Sequence, residues 1–265
     1  MSKTNFDCFR FGYMPSFNID LISEIKFARK NFDFIEITLK YNLIEYSKKY
    51  LEKVNQNLGN FEILGHIHWK IDLTKKKGLK KIFENVKIYK LLGAKKITIH
   101  PFVSQNISQK QVKLSNLKAL KTISNFCKKN KIQLLVENIS DIPFNLSKEF
   151  KYLLLNSPSL SITLDVGHAN KISRQELEKF LDLFSTKIKH IHLHYNDNEK
   201  DHLIFPKAER NYLNYILKRL SKLGINLTIT LEIFAILEKQ KIIQIEGKRR
   251  RNLLLSQLQL IKSLK

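Results

Sequence analysis

Short apolar runs alternate along this chain with longer stretches in which apolar residues return at helical spacing. The runs near 8–13, 33–38, 62–67, 95–100, 132–137, 160–165, 188–194 and 227–232 read as strands. Between them, Asp20 to Lys30 carries Leu21, Ile22, Ile25 and Ala28 on one helical face, and Leu79 to Leu92 carries Ile82, Phe83, Val86 and Tyr89. Leu114 to Lys129, Gln175 to Phe184, Tyr212 to Leu223 and Leu253 to Leu264 follow the same period. Several strands are continuously apolar, as parallel strands covered on both faces are. Eight strand–helix pairs with no long linker and no break in composition predict an α/β fold, a closed (β/α)8 TIM barrel forming one domain over 1–265. A doubly wound open sheet is the alternative, but it would gather its polar residues at one switch point.

Polar residues instead end at least seven of the eight predicted strands. All eight histidines, His66, His68, His100, His168, His190, His192, His194 and His202, stand at or just after strand ends. Carboxylates hold the same place after other runs: Glu36, Glu137, Asp165 and Glu232. Buried strands rarely carry charge without a partner or a metal. A barrel brings all its strand ends to one mouth, so Glu36, His66, His100, Glu137, Asp165, His192 and Glu232 are expected to converge. Imidazole and carboxylate together suit zinc, manganese, iron or cobalt. Strand alternation puts His190, His192 and His194 on one face at successive heights, so one or two of them at most reach a single ion, and His190 lies deepest. His68 reads as an orienting or substrate-contacting neighbour, and Glu36 as a hydrogen-bonder to substrate or a structural partner.

Composition narrows the setting. Lys and Arg total 47 against 24 Asp and Glu, for a net charge of +23, which favours anionic partners including nucleic acid. The excess of lysine over arginine, with abundant Ile and Asn, equally matches the codon bias of an AT-rich genome. The apolar runs are too short to span a bilayer, the segment from Met1 to Asp7 lacks a leader's apolar core, and Cys8 and Cys127 form no CxxC. The expectation is a cytoplasmic protein with reduced thiols and no membrane partner. Lys75, Lys76, Lys77, Lys80 and Lys81 follow strand three and Lys248, Arg249, Arg250 and Arg251 open the last helix, both near the mouth. Lys207 and Arg210 fall where barrels commonly hold phosphate.

Six motifs carry a family resemblance: Gly65-His66, Ile99-His100-Pro101, Val136-Glu137-Asn138, Leu164-Asp165-Val166-Gly167-His168-Ala169, Ile191-His192-Leu193-His194 and Leu231-Glu232. In this order the chain, over about 8–234, resembles the xylose-isomerase-like superfamily, which holds sugar-phosphate isomerases and epimerases together with endonuclease IV. The resemblance implies a (β/α)8 barrel binding divalent metal (Mn, Zn, Mg or Co). An isomerase-type site would be Glu137, Asp165, His192 and Glu232 around one ion. An endonuclease-type site would add His66, His100, His168, Asp201 and His202 for up to three zinc ions. Two departures stand out. Where the family has an aspartate three residues after the strand-seven histidine, this chain has Tyr195, with Asp197 or Asp201 as replacements. The turn after His202, Leu-Ile-Phe-Pro-Lys, has no glycine.

Three function classes follow. The first is a metal-dependent sugar or sugar-phosphate isomerase or epimerase, with Glu137 and Glu232 moving protons. There His168 would hydrogen-bond the substrate, Trp69 would stack on a sugar face, and Glu36, His68, Lys207 and Arg210 would make further contacts. The second is an endonuclease IV-like enzyme cleaving DNA at abasic sites with zinc-generated hydroxide. The third is a barrel kept for binding alone.

Overall fold

The computed structural model describes residues 6, 8–16, 19–104, 106–140, 143–197, 200–223, 227–238 and 241–264. Residues 1–5 and 7, on which the leader reading rests, lie outside the described residues. The order is β1 (Phe9–Tyr13), α1 (Leu21–Asn31), β2 (Phe34–Thr38), α2 (Lys48–Leu58), β3 (Glu62–His66), α3 (Lys76–Leu91), β4 (Lys96–Ile99), α4 (Gln109–Lys129), β5 (Gln133–Glu137) and α5 (Ser147–Asn156). It continues with β6 (Ser161–Asp165), α6 (Val166–Ile172), α7 (Arg174–Phe184), β7 (Ile188–Leu193), α8 (Arg210–Ser221), β8 (Leu227–Leu231), β9 (Ala235–Glu238), β10 (Lys241–Gln244) and α9 (Gly247–Lys262). β1 to β8 close in sequence order, every neighbour parallel, into the predicted barrel, and β8 pairs back to β1 from Phe9↔Leu227 to Tyr13↔Leu231.

Each of the eight predicted strands ends within a residue of its observed limit. The periodicity did not single out α2, α5 and α6, nor the antiparallel hairpin of β9 and β10 that follows β8. α2 is polar over most of its surface, with only Leu51, Val54 and Leu58 buried. α5 and α6 are short, and α6 buries Val166, Gly167, His168 and Ala169, consecutive residues rather than a helical stripe.

Helix starts are built as their sequences direct. Asp20 accepts from the amides of Ile22 and Ser23, and Ser108 forms a capping box with Gln111. Between barrel and helices lies a continuous apolar layer that includes Ile35, Ile37, Ile97, Leu134, Val136, Ile162, Leu164, Ile191 and Ile229. Strand alternation then leaves the opposite side of each strand to face the barrel axis. There the sequence is polar: Glu36 on β2, Thr98 on β4, Glu137 on β5, Thr163 and Asp165 on β6, His190 and His192 on β7, Thr228 and Thr230 on β8, all buried. Barrel interiors are usually filled by branched apolar side chains, so this one is organised around a polar axis.

Candidate metal centre

The lower part of that axis is a closed hydrogen-bond network. Glu36, fully buried, receives Thr230 Oγ1 at 2.6 Å and faces His190 Nε2 at 2.9 Å and His192 Nε2 at 3.1 Å. His190 Nδ1 meets Thr228 Oγ1 at 2.7 Å, and Thr98 and Thr163 share a hydrogen bond of 2.8 Å. Burial would raise the Glu36 carboxyl, but His192 and His190 outweigh it and hold the group well below the usual carboxylate range. Glu36 therefore stands one level too deep to touch a substrate. Thr38, two residues further along β2, is the residue of that face that reaches the mouth. Glu36 instead anchors His192 from behind, the outer partner that an imidazole ligand commonly has.

Among the described residues four groups of ligand-type side chains occur: one, Glu36, His66 and His192, at the level of this network, and three above it at the strand ends. Of those three, Glu137, Asp165, His192 and Glu232 form the first, His66, His100 and Glu137 the second, and His168, His194, Asp201 and His202 the third. Glu137 joins the first two. Its Oε2 lies 3.2 Å from His66 Nε2 and 2.8 Å from His100 Nε2, and its Oε1 lies 3.3 Å from His192 Nδ1. Asp165 joins the first and third, with Oδ2 at 3.9 Å from His192 Nδ1 and 3.0 Å from His194 Nε2. Glu232 Oε2 approaches His192 Nδ1 to 3.0 Å.

The first group has the character of a metal site. His192 Nδ1 and Glu232 Oε2 are buried and make no hydrogen bond, although they face each other across 3.0 Å. Three buried carboxylates crowd the same nitrogen, which without a cation is costly. Donor atoms on one tetrahedral ion with bonds of about 2.0–2.1 Å stand roughly 3.3 Å apart, close to the 3.0 and 3.3 Å from His192 to Glu232 and Glu137. One imidazole with three carboxylates suits Mn, Zn, Co or Mg.

In the protein alone, protons on imidazole balance the charge. Burial opposes a charged His192, yet Glu137, Glu36 and Glu232 push its pKa well above the ordinary histidine value. Burial likewise opposes charge on His194, but Asp165 and Asp201 push it up to about 10. Burial would raise Glu137, but His100 and His192 hold it well below the usual range.

A cavity of about 480 Å³ opens above these groups. His66, His100, His168, His202 and Glu232 supply its polar floor, and Met14, Trp69, Phe102, Val103, Ile139 and Phe234 much of its wall. Glu137, 1 % exposed, reaches it only past His66 and His100. Trp69 is 45 % exposed and stacked on His68 at 4.2 Å, so His68 supports the wall from behind.

No lysine or arginine lines the cavity among the described residues. Lys207 lies in a single 3-10 turn without a buried residue, and Arg210 bonds Ser263 at the far end of α9. Neither of these two phosphate candidates lines the cavity. The basic opening of α9 is equally committed. Arg250 is buried, bonding the carbonyls of Ile233 and Met14, and Arg251 pairs with Glu24 at 2.6 Å.

The departures noted in the sequence resolve in the loop after β7. Asp201 enters the third group, 3.1 Å from His194 Nδ1, while Asp197 pairs with Lys200 outside it. The left-handed backbone position that glycine would favour falls on His202, at φ 55°. His194 is the ligand-type residue of this group that the sequence reading named among the strand-seven histidines but assigned to no site. A signal was present: Asp197 stands three residues after His194, the family spacing that is missing when counted from His192.

A family model described as xylose isomerase-like TIM barrel matches residues 25–252. An uncharacterized protein of Methanocaldococcus jannaschii is 32% identical over 127 residues, 47% of this chain and 49% of that protein, so the match spans about half of that relative's length. Among solved structures, a D-tagatose 3-epimerase-like protein superimposes with a TM-score of 0.73 at 19% identity, covering 95% of this chain and 98% of the other. A family 2 AP endonuclease from Brucella melitensis gives 0.68 at 15% identity, covering 85% and 92%. At these identities the structural likenesses speak for the fold, and the family match for descent. With the closed barrel and its ring of strand-end ligands, this chain belongs to the xylose isomerase-like TIM-barrel family.

Proposed function

We propose that this protein is a divalent-metal-dependent isomerase or epimerase of a small unphosphorylated sugar or polyol ketone. Glu137, Asp165, His192 and Glu232 would hold the metal. The observation that carries this reading is the placement of Glu232. It is a metal-type ligand whose carboxylate also lines a small cavity with an aromatic wall and no basic residue. When bound, the metal supplies Lewis acidity toward a carbonyl and its neighbouring hydroxyl.

Glu232 is the base, because it is the carboxylate with a face on the cavity. Burial would raise its pKa, but His192 and His202 keep it low, so it is ionised and able to accept a proton at neutral pH. The return proton comes from His100, which lines the cavity and leans on Glu137 at 2.8 Å. Burial would lower His100, but Glu137 outweighs that and raises it. Glu137 thus acts through His100 as well as on the metal. Trp69 offers a face for the apolar side of a sugar ring.

The test is solvent exchange. Manganese-, cobalt- or zinc-loaded protein is incubated in D2O with ketoses and ketose phosphates, and deuterium next to the carbonyl is followed by NMR. Exchange with unphosphorylated ketoses, lost in Glu232→Gln, is expected. No exchange with any substrate by folded, metal-loaded protein would sink the proposal.

One observation favours a second reading, a three-zinc phosphodiester hydrolase resembling endonuclease IV. The three groups at the mouth lie side by side: Glu137 belongs to two of them, and Asp165 Oδ2 stands 3.0 Å from His194 of the third. Nicking of duplex DNA at a single abasic site, abolished by Glu137→Ala, would establish it; intact duplex at low salt would exclude it.

A further inference from the structure

A barrel interior filled by branched apolar side chains needs no hydrogen-bond bookkeeping. A buried carboxylate between two imidazoles does, and replacing such a cluster by packed apolar groups is often neutral or stabilising. The deep axis of Glu36, His190 and Thr228 therefore calls for a reason beyond packing.

Its construction begins with an irregularity in β7. Ile162 of β6 pairs with Ile188, but the next residue, Thr163, pairs with His190, so Lys189 is an extra residue, a bulge. Ile188 and Ile191 both join the apolar layer although they stand three apart, which strict alternation forbids. Lys189 itself is exposed, while His190 and His192 are buried. Without the extra residue, every side chain from His190 onward would face the opposite way. The bulge thus turns His190 and His192 toward the axis.

Lys96, the first residue of β4, pins that bulge from the far end of the barrel. Its Nζ donates to the Lys189 carbonyl at 3.0 Å and to Thr228 Oγ1 at 3.4 Å, and Thr228 is the β8 residue paired with His190. An ammonium only donates, so Thr228 accepts from Lys96 and gives its own hydrogen elsewhere. His190 Nδ1 is 2.7 Å away, against 3.5 Å for the Lys189 carbonyl that Lys96 already serves. His190 then keeps a lone pair on Nδ1 and a proton on Nε2, which lies 2.9 Å from Glu36 Oε2. The Glu36 carboxylate only accepts: from His190, from Thr230 Oγ1 at 2.6 Å and from His192 Nε2 at 3.1 Å. Donation therefore runs one way, from Lys96 to Thr228, to His190, to Glu36, and His192 donates to the same carboxylate from the mouth side. Nδ1 of His192, which makes no hydrogen bond, is the atom presented to Glu137 and Glu232.

We infer that Lys96, Thr228 and His190 are positioning residues for the metal centre. They hold the bulge, and with it the direction of hydrogen bonding that aims His192 with Nε2 on Glu36 and Nδ1 at the ion. Lys96 and Thr228 reach the centre only through His190 and Glu36. What Nδ1 meets rests on the metal reading above, whereas the order of donation stands without it.

The test is nitrogen NMR of the whole chain with isotope-labelled histidine, metal-free and zinc-loaded, together with zinc affinity from chelator competition. Wild type is compared with Lys96→Met, Thr228→Val and Thr228→Ser. In wild type, His190 and His192 should each carry an exchange-protected proton on Nε2 in both states, with none on His190 Nδ1, and zinc should bind His192 through Nδ1. Lys96→Met and Thr228→Val should bind zinc about tenfold more weakly, as loss of a ligand's outer partners does, and the His192 Nε2 proton should exchange faster. Thr228→Ser, which keeps the hydroxyl, should restore wild-type affinity and signals. Zinc on Nε2 of His192, a proton on His190 Nδ1, or wild-type affinity in folded Lys96→Met and Thr228→Val would each overturn the inference. If wild type binds no zinc, the metal reading fails, and the response of the His192 Nε2 proton to the two variants judges the positioning by itself. If neither variant folds, the protonation pattern of His190 in wild type decides.

Discussion

The side chains at the mouth carry protons where a metal would carry charge. His194, moved from an ordinary 6.5 up to about 10 against the opposing effect of burial, holds its proton at neutral pH in the metal-free protein. His192 likewise holds its proton, raised well above the ordinary value by Glu137, Glu36 and Glu232 against burial, and a metal on the proposed four ligands would expel it. We expect proton release on zinc binding at pH 7.5, measured by calorimetry in buffers of different ionisation enthalpy, and affinity that rises with pH through the neutral range. Stability of the metal-free fold runs the other way. The His194 contribution is fully present below 6.5 and is lost as pH rises through about 10, which urea midpoints across that range would report. Away from the mouth, Cys127 on α4 is buried and its thiol is pushed up to about 12. The thiolate is the reactive species, so Cys127 should resist alkylation at pH 8 in native protein and react once unfolded.

Elements are held in place by polar pins at their ends. Tyr89 Oη of α3 lies 2.7 Å from the carbonyl oxygens of both Ile37 and His66, donating to one of them, and accepts from the Leu39 amide, tying β2 to β3. Gly65 makes this possible, since a Cβ there would overlap the Tyr89 ring. Gly65→Ala should lower stability by about 1–3 kcal/mol through overpacking, seen as a reduced urea midpoint. Arg250 does the same work for α9. Its bonds to Met14 and Ile233 set two stretches of cavity wall, at Met14 and Phe234. Arg250→Met strands two buried carbonyls at a cost of about 1–3 kcal/mol each. It should raise KM more than it lowers kcat, because the wall moves while the ligands stay.

At the scale of the whole molecule, a metal held by the ligand-type side chains that end β3 to β8 would be part of the folded state. A bound ion at one hundred times its Kd adds about 2.7 kcal/mol, so chelation should lower the melting temperature and Glu232→Gln should reduce that response. The net charge of +23 acts at this scale as well. Since no basic residue among those described lines the cavity, we expect duplex DNA to bind without sequence preference, weaken steeply with salt and leave ketose exchange unaffected at physiological ionic strength. Among the described residues no helix is long and apolar enough to cross a membrane.

What was legible in the sequence follows from short-range order. Strand and helix periods set the barrel to within a residue at every strand end, because side-chain direction repeats locally. The same alternation placed Glu137, Asp165, His192 and Glu232 together, since closure forces all strand ends to one mouth. Depth along the barrel axis was not legible. Glu36 looked like a mouth residue because it follows an apolar pair, yet its register opposite Leu64 puts it a level below Thr38, opposite His66. Loop conformation was not legible either. Asp201 rather than Asp197 meets His194, on a loop whose ends are held by the bridge between Tyr195 and Leu203. Lys207 and Arg210 were placed by analogy with other barrels, and neither lines the cavity, Arg210 bonding Ser263 instead. Periodicity along the chain decides which face a residue occupies; only the closed sheet and its docked loops decide how deep it sits and which neighbours it meets.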